Sequence, residues 1–368
     1  MKLGIITYHR AHNYGAVLQC YALSKKLADM GHCVEVIDYY PTYFKEQYTS
    51  LSKRNMEGLS LRGKFSHIAN QLLTYRTRSK RSTAFNKFID NLPLSPRQYN
   101  EKDYNFDKYD AILFGSDQVW NPILTFGEDH VFSGNFDKQG AKFISYAAST
   151  SPKVYTNEYK EYFSGIIDRF DAISVREESL NKFLSCIKPG IAKTVLDPVL
   201  LLNKEEWSKK AIKPEQNNYL LIYTVPQSPK VRELANIIAK EKRLEIVEIR
   251  PNVSRSANKG ILQSVSPEEF LGYFKYASYV VTTSFHGTAF SVKFQKQFST
   301  LLLGTTSDDR ATNLLTSIGL EHRLVPVTEL KMPEREIDYS TINSKLNTFI
   351  DNSVEFITTS LAHNEPTA

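Results

Sequence analysis

Residues 279–294 read YVVTTSFHGTAFSVKF. Tyr279 to Thr283 is a β-branched run, the composition of a buried strand. From Gly287 to Gln295 the apolar residues Ala289, Phe290, Val292 and Phe294 change to a helical spacing. Ser284, Phe285 and His286 lie between, so the stretch predicts His286 where a strand ends and a helix begins. In open α/β sheets that edge is where ligands bind. A helix start carries partial positive charge that disfavours a cationic ring, which makes a histidine there a candidate acid or base near neutral pH. A histidine that fills a turn is the plain alternative. Gly287 would let a ligand approach the backbone, having no side chain.

The same strand-then-helix alternation runs upstream. Lys2 to Thr7 reads as a strand, Ala16 to Met30 as a helix stopped by Gly31, and Cys33 to Asp38 as a second strand. The loop between the first strand and helix holds Asn13, Tyr14 and Gly15. Asn13 suits a helix cap and Gly15 a close approach, so all three are candidates for substrate contact; ordinary capping is the alternative. No GxGxxG is present, so a dinucleotide fingerprint is absent. Ala111 to Phe114 is strand-like and leads into GSDQVWNP. There Asp117 and Gln118 offer groups for hydroxyls and Trp120 a face for a sugar ring, unless the loop is an Asx-turn with the indole in the core. Phe143 to Ala147 and Ile173 to Val175 are further strands. Arg176 follows the second of them, where its fork of donors suits a carboxylate or phosphate. An ion pair with Glu177 or Glu178 is the structural alternative. Thr194 to Leu196 reads as one more strand, ended by Asp197-Pro198.

After Leu202 the pattern restarts. Asn203 with Glu206, and Ser266 with Pro267 and Glu269, have the form of helix starts. Strands are expected at Tyr219 to Val225, at Leu244 to Ile249 (ending in Arg250), and at Phe298 to Leu303. A polar loop from Gly304 to Arg310 then precedes another helix, and a final helix spans roughly 342–360. The expected fold is α/β, with two Rossmann-like domains facing a cleft in a GT-B-like manner. The first covers 1–200, on the acceptor side. The second covers 201–340, on the donor side, and a C-terminal helix and tail (341–368) is expected to pack back on the first. Residues 42–100 interrupt the first domain with a basic helical insertion, ended by Leu92-Pro93-Leu94-Ser95-Pro96. In it Phe65, Ile68, Leu72 and Tyr75 share one helical face among Lys53, Arg54, Arg62, Lys64, Arg76, Arg78, Lys80 and Arg81. Such a helix lies either on anionic lipid or, more plainly, in solvent.

Composition narrows the rest. Hydrophobic content of 41% and charged content of 23% belong to a folded globular chain. A net charge of +6 suits anionic ligands or an anionic membrane surface, and without a binding motif it gives no case for nucleic acid. Cys20, Cys33 and Cys186 are widely spaced and form no CxxC or zinc pattern, as expected of reduced thiols. MKLGIITYHR enters a strand directly, without the apolar core of a signal peptide, and no apolar run approaches a membrane span. A cytoplasmic protein is expected, at the inner face of the membrane if the basic segment meets lipid.

Six segments in order resemble the polysaccharide pyruvyl transferase family: GIITYHRAHNYGAVLQCYAL, LFGSDQVWNP, ISYAAS, ISVREESL, VLDPVLLL and VTTSFHGTAFSVKF. The resemblance implies a two-domain, GT-B-like enzyme that moves a pyruvyl unit from phosphoenolpyruvate onto a lipid-linked or nucleotide-linked sugar. The product is a cyclic ketal of a surface polysaccharide precursor, made without a metal or cofactor. It also implies that His286 matches the family's catalytic histidine and Arg176 an arginine that holds the donor. Many members carry an arginine two residues before that histidine; Ser284 stands there here. Arg250, Lys293 and Arg310 are then the candidate cations, with Ser284 and Gly287 beside the donor. Two other readings stay open at this point: a GT-B glycosyltransferase using a nucleotide sugar, and a non-catalytic scaffold of a glycan assembly complex.

Overall fold

A computed structural model describes residues 1–48, 60–255, 260–305 and 308–362; Lys53 and Arg54 of the basic segment lie outside them. The first sheet holds β1 (Lys2–Ile6), β2 (Cys33–Tyr39), β3 (Leu94–Tyr99), β4 (Ala111–Phe114), β5 (Lys142–Ala148), β6 (Ala172–Val175) and β7 (Ala192–Thr194). Its order is β3-β2-β1-β4-β5-β6-β7, with every neighbouring pair parallel. The second sheet holds β8 (Tyr219–Tyr223), β9 (Glu245–Ile249), β10 (Ile261–Leu262), β11 (Tyr279–Thr282), β12 (Phe298–Leu302) and β13 (Leu324–Pro326). It runs β10-β9-β8-β11-β12-β13, again parallel throughout. Parallel sheets bury both faces, and the central strands β4 and β8 are buried at every residue.

In each sheet the chain works outward from its first strand one way and then the other. The reversal falls between β1 and β4, and between β8 and β11. Loops diverge at such switch points and leave a crevice at the strand C-termini. The two crevices meet. The helix Tyr14–Asp29 leaves β1, and its Tyr14 ring stacks on Phe270 of the second lobe at 4.3 Å while its hydroxyl donates to the Val265 carbonyl at 2.8 Å. Trp207, on the short helix Lys204–Lys210, is buried against Tyr21 of one lobe and Phe290 of the other. One apolar core therefore runs through both sheets. This is the two-lobed α/β architecture expected from the sequence.

Both expected capping boxes form, Asn203 with Glu206 and Ser266 with Glu269. The final helix, Tyr339–Leu361, packs on the first sheet: Ser353 Oγ accepts from the Leu196 N–H at 3.0 Å, and Lys142 donates to the Ala362 carbonyl. Two expectations fail. The helical insertion does not extend to about 100: its last helix ends at Ile89, and Leu94–Tyr99 is strand β3. A proline is tolerated there since β3 is an edge strand with one neighbour. The last strand of the first sheet is Ala192–Thr194, and Val195-Leu196 already belongs to the turn into Asp197. Among the described residues no helix is long and apolar enough to cross a membrane.

Candidate functional site

β11 delivers His286. Thr282 Oγ1 donates to the Tyr223 carbonyl at 2.6 Å, which fixes the end of β11 against β8. Ser284 then caps the helix Phe285–Lys293, so His286 stands in its first turn. The imidazole reaches across to the other lobe and lies on Gly15: a Cβ there would be 2.1 Å from Nδ1 and 2.3 Å from Cε1. Only glycine leaves room for the ring. On its other side Nε2 is 3.5 Å from Oδ2 of Asp197 and makes no hydrogen bond.

Asp197 is the residue the sequence reading missed. Its carboxylate is fully buried and accepts from Ser116 Oγ at 2.9 Å, Arg176 Nη1 at 2.8 Å and the Val199 N–H at 3.0 Å. Burial acts to raise its pKa. His286, the Arg176 charge and the Val199 N–H outweigh that and hold the carboxyl well below the usual carboxylate range. Asp197-Pro198 reads in sequence as a strand terminator. The edge rule that singled out His286 and Arg176 applies to it equally, and is the signal that could have found it.

Arg176 occupies the strand-to-helix edge after β6, as expected, but it is not a free clamp. Its Nε donates to Glu177 Oε1 at 3.0 Å and its Nη1 to Asp197. Burial acts to lower its pKa, and the Glu177 and Asp197 charges outweigh it, holding the guanidinium above its ordinary range. The structural alternative is therefore realised in part. Nη2 remains: it is buried and has no partner. Arg176 lines a cavity of about 640 Å³ with Asp197, Phe285 and Arg310, and its guanidinium lies 5.1 Å from the Phe285 ring centroid. Arg310, near the start of the helix Asp309–Ile318, makes no hydrogen bond or ion pair among the described residues. Burial and the nearby Arg176 charge lower its pKa. An anion entering this cavity would meet one guanidinium edge and one whole guanidinium, neither engaged by a carboxylate.

The loop after β4 closes the site. Asp117 adopts φ 100°, a region that side chains rarely enter, and Ala147 beside it has φ 52°. The Asp117 carbonyl accepts from the Ser149 and Val119 N–H groups at 3.0 and 2.8 Å, which holds the strained turn in place. Its charge acts on both Arg176 and Arg310. Gln118 shares a small cavity with Arg310, Glu177 and Ser179.

Other candidates have structural occupations. Trp120 is fully buried against Phe170, so it offers no face to a sugar. Tyr14 is buried between the lobes, and its hydroxyl also accepts from Arg81. Gly15 admits the His286 ring rather than a ligand. Asn13 is exposed, but its Oδ1 caps the helix through the Gly15 and Ala16 N–H groups. Ser284 is buried as an N-cap. Gly287 makes room for Thr282, whose Oγ1 would lie 2.2 Å from a Cβ there. Lys293 is buried and donates to the Leu200 carbonyl at 2.8 Å, with its pKa lowered by burial to about 8. Arg250 pairs with Glu248 at 2.6 Å and lines a separate cavity beyond β8. Of the cations proposed in place of the missing arginine, only Arg310 shares a cavity with Arg176. Among the described residues no group of three or more His, Cys, Asp or Glu is placed to hold a metal ion.

A family model described as polysaccharide pyruvyl transferase matches residues 13–301, a span that runs from Asn13 through His286 to β12. Solved structures similar to the chain include the UDP-GlcNAc 2-epimerase of Methanocaldococcus jannaschii, at 12% identity over 95% of this chain and 93% of that one, with TM-score 0.48. The UDP-GlcNAc 2-epimerase of Neisseria meningitidis bound to UDP-GlcNAc is 13% identical over 99% and 95%, with TM-score 0.44. The E. coli heptosyltransferase WaaC with ADP is 12% identical over 96% and 100%, with TM-score 0.40. No curated protein matches the sequence. With the family model covering most of the chain, the chain belongs to the polysaccharide pyruvyl transferase family, an enzyme family.

Proposed function

We propose that this enzyme transfers the pyruvyl unit of phosphoenolpyruvate to two hydroxyls of one sugar, releasing phosphate and leaving a cyclic ketal. The observation that carries the reading is the pair of unengaged cationic groups, Arg176 Nη2 and Arg310, in one cavity lined also by Asp197, whose carboxylate lies 3.5 Å from the His286 ring behind it. Phosphoenolpyruvate brings a carboxylate and a phosphate, which need two such groups. The reaction needs one proton on the methylene carbon, and His286 supplies it. The cation that forms at C2 is met by a sugar hydroxyl, and a second hydroxyl then displaces phosphate. Of the two hydroxyl protons, one restores His286 and the other leaves with phosphate, so the balance closes. Asp197 holds the ring in position as an ionised, buried partner. Asp117, at the strained turn, orients the acceptor.

The test is phosphate release from phosphoenolpyruvate over a panel of lipid-linked and nucleotide-linked sugars. The expected result is release with at least one acceptor, abolished in His286→Ala. No release with any acceptor, together with thermal stabilisation by a nucleoside diphosphate, would favour nucleotide-sugar transfer instead. The cavity beyond β8, lined by Thr224, Ser228, Arg232, Glu248 and Arg250, offers that ligand a polar pocket in the second lobe.

A further inference from the structure

The helix Leu61–Leu73 is docked the wrong way round for a soluble protein. Its apolar residues Phe65, Ile68 and Leu72 share one face, which continues to Tyr75 at the start of the next helix, Tyr75–Ile89. A helix packed on a core would bury that face. Here Phe65 is 74% exposed, Leu72 and Leu73 72%, and Tyr75 68%. The polar side turns inward: Gln71 is buried and Asn70 is half-buried. Contiguous apolar surface of this kind marks an interaction site.

The charge around it selects the partner. No acidic residue occurs between Glu57 and Asp90, whereas Arg62, Lys64, Arg76 and Lys80 are all exposed there. Two copies of this chain meeting through the patch would bring these cations together with no carboxylate from the segment to offset them. An anionic lipid surface offers hydrocarbon for the rings and leucines and phosphates for the cations.

The patch is also rigidly tied to the lobes. Arg81, buried on the second helix, donates to the His12 carbonyl at 3.0 Å and to the Tyr14 hydroxyl at 2.9 Å. Arg78 donates to the Val253 carbonyl at 3.0 Å, and Arg255 of the second lobe to the Ser66 carbonyl at 3.2 Å. The loop from His12 leads to Gly15 beneath His286, so whatever the helix rests on is coupled to one wall of the site.

We infer that the face formed by Phe65, Ile68, Leu72, Leu73 and Tyr75 is an interfacial docking surface for an anionic membrane. The inference stands apart from the transfer reaction, since binding is read without substrate. The experiment is co-sedimentation of the full chain with vesicles of phosphatidylcholine alone and of phosphatidylcholine mixed with phosphatidylglycerol. Binding is expected to the mixed vesicles only, and to weaken as salt is raised. Phe65→Ser/Leu72→Ser, and separately Arg62→Glu/Arg76→Glu, should each reduce it at least about tenfold with the thermal midpoint unchanged. Equal binding by the variants, or no binding by the unaltered chain, would overturn the inference. So would a concentration-dependent dimer, by sedimentation velocity, that Phe65→Ser/Leu72→Ser dissolves.

Discussion

At the scale of single residues the account rests on an imidazole held between Gly15 and Asp197. His286→Ala should lower turnover about 10²–10⁴-fold, the usual worth of a positioned acid–base group, with the thermal midpoint little changed. Gly15→Ala tests the same ring from the other lobe. The new methyl needs the space of Nδ1, so the ring must swing away. Turnover should fall while circular dichroism shows an intact fold; unchanged turnover would mean that the ring's position does not matter. Asp197→Asn strips a charge from a buried cluster and leaves Arg176 paired with Glu177 alone. A loss of about 3 kcal/mol in denaturant unfolding is expected. His286 is legible in the sequence because a change from strand to helix spacing is local. Asp197 meets the same strand-edge rule, but its cluster is not legible, because Ser116, Arg176 and His286 come from loops far apart in the chain. The sequence puts Trp120 in the loop after β4 and Tyr14 in the loop before the first helix; the structure begins that helix at Tyr14 itself. The direction in which their rings point is decided by packing, which a strand-end rule does not contain.

At the scale of elements, the helix Pro267–Tyr276 packs at Gly272 against the backbone of Ile212, where a Cβ would lie 1.6 Å from the carbonyl oxygen. That segment is pinned, since the Ile212 N–H donates to the Glu268 carbonyl. Gly272→Ala should therefore cost about 3 kcal/mol in urea unfolding, the upper range for an overpacked core. A cost near zero would show that the segment yields. The long alternating elements could be read from periodicity and caps, to within a residue or two at most ends. β3 escaped because Pro96 within it and Pro93 just before it imitate a loop, and β10 and β13 because two or three residues carry no period. The Phe65 to Tyr75 face was legible as a spacing. Whether it turns toward protein or solvent was not, because that depends on the surface it meets.

At the scale of the molecule, buried carboxylates tie the first lobe together and set its acid limit. Burial acts to raise the pKa of Asp38, but hydrogen bonds and charge from His9 and Arg10 hold it well below the usual range, as Asp197 is held by its own neighbours. As pH falls through about 4, unfolded carboxyls take up protons that the native ones refuse. Stability should be full above that range and fall below it. Asp38→Asn should flatten this acid limb in urea midpoints measured across pH. The two-sheet plan was legible because both halves alternate strand and helix, and the cleft followed from where such sheets bind. The most direct test of the chemistry is the mass of the acceptor sugar after reaction with phosphoenolpyruvate in deuterated water. The account predicts the mass of a pyruvate ketal whose methyl group carries a deuterium delivered through His286. An acceptor of unchanged mass, or one carrying an enolpyruvyl vinyl ether with no deuterium, would contradict it.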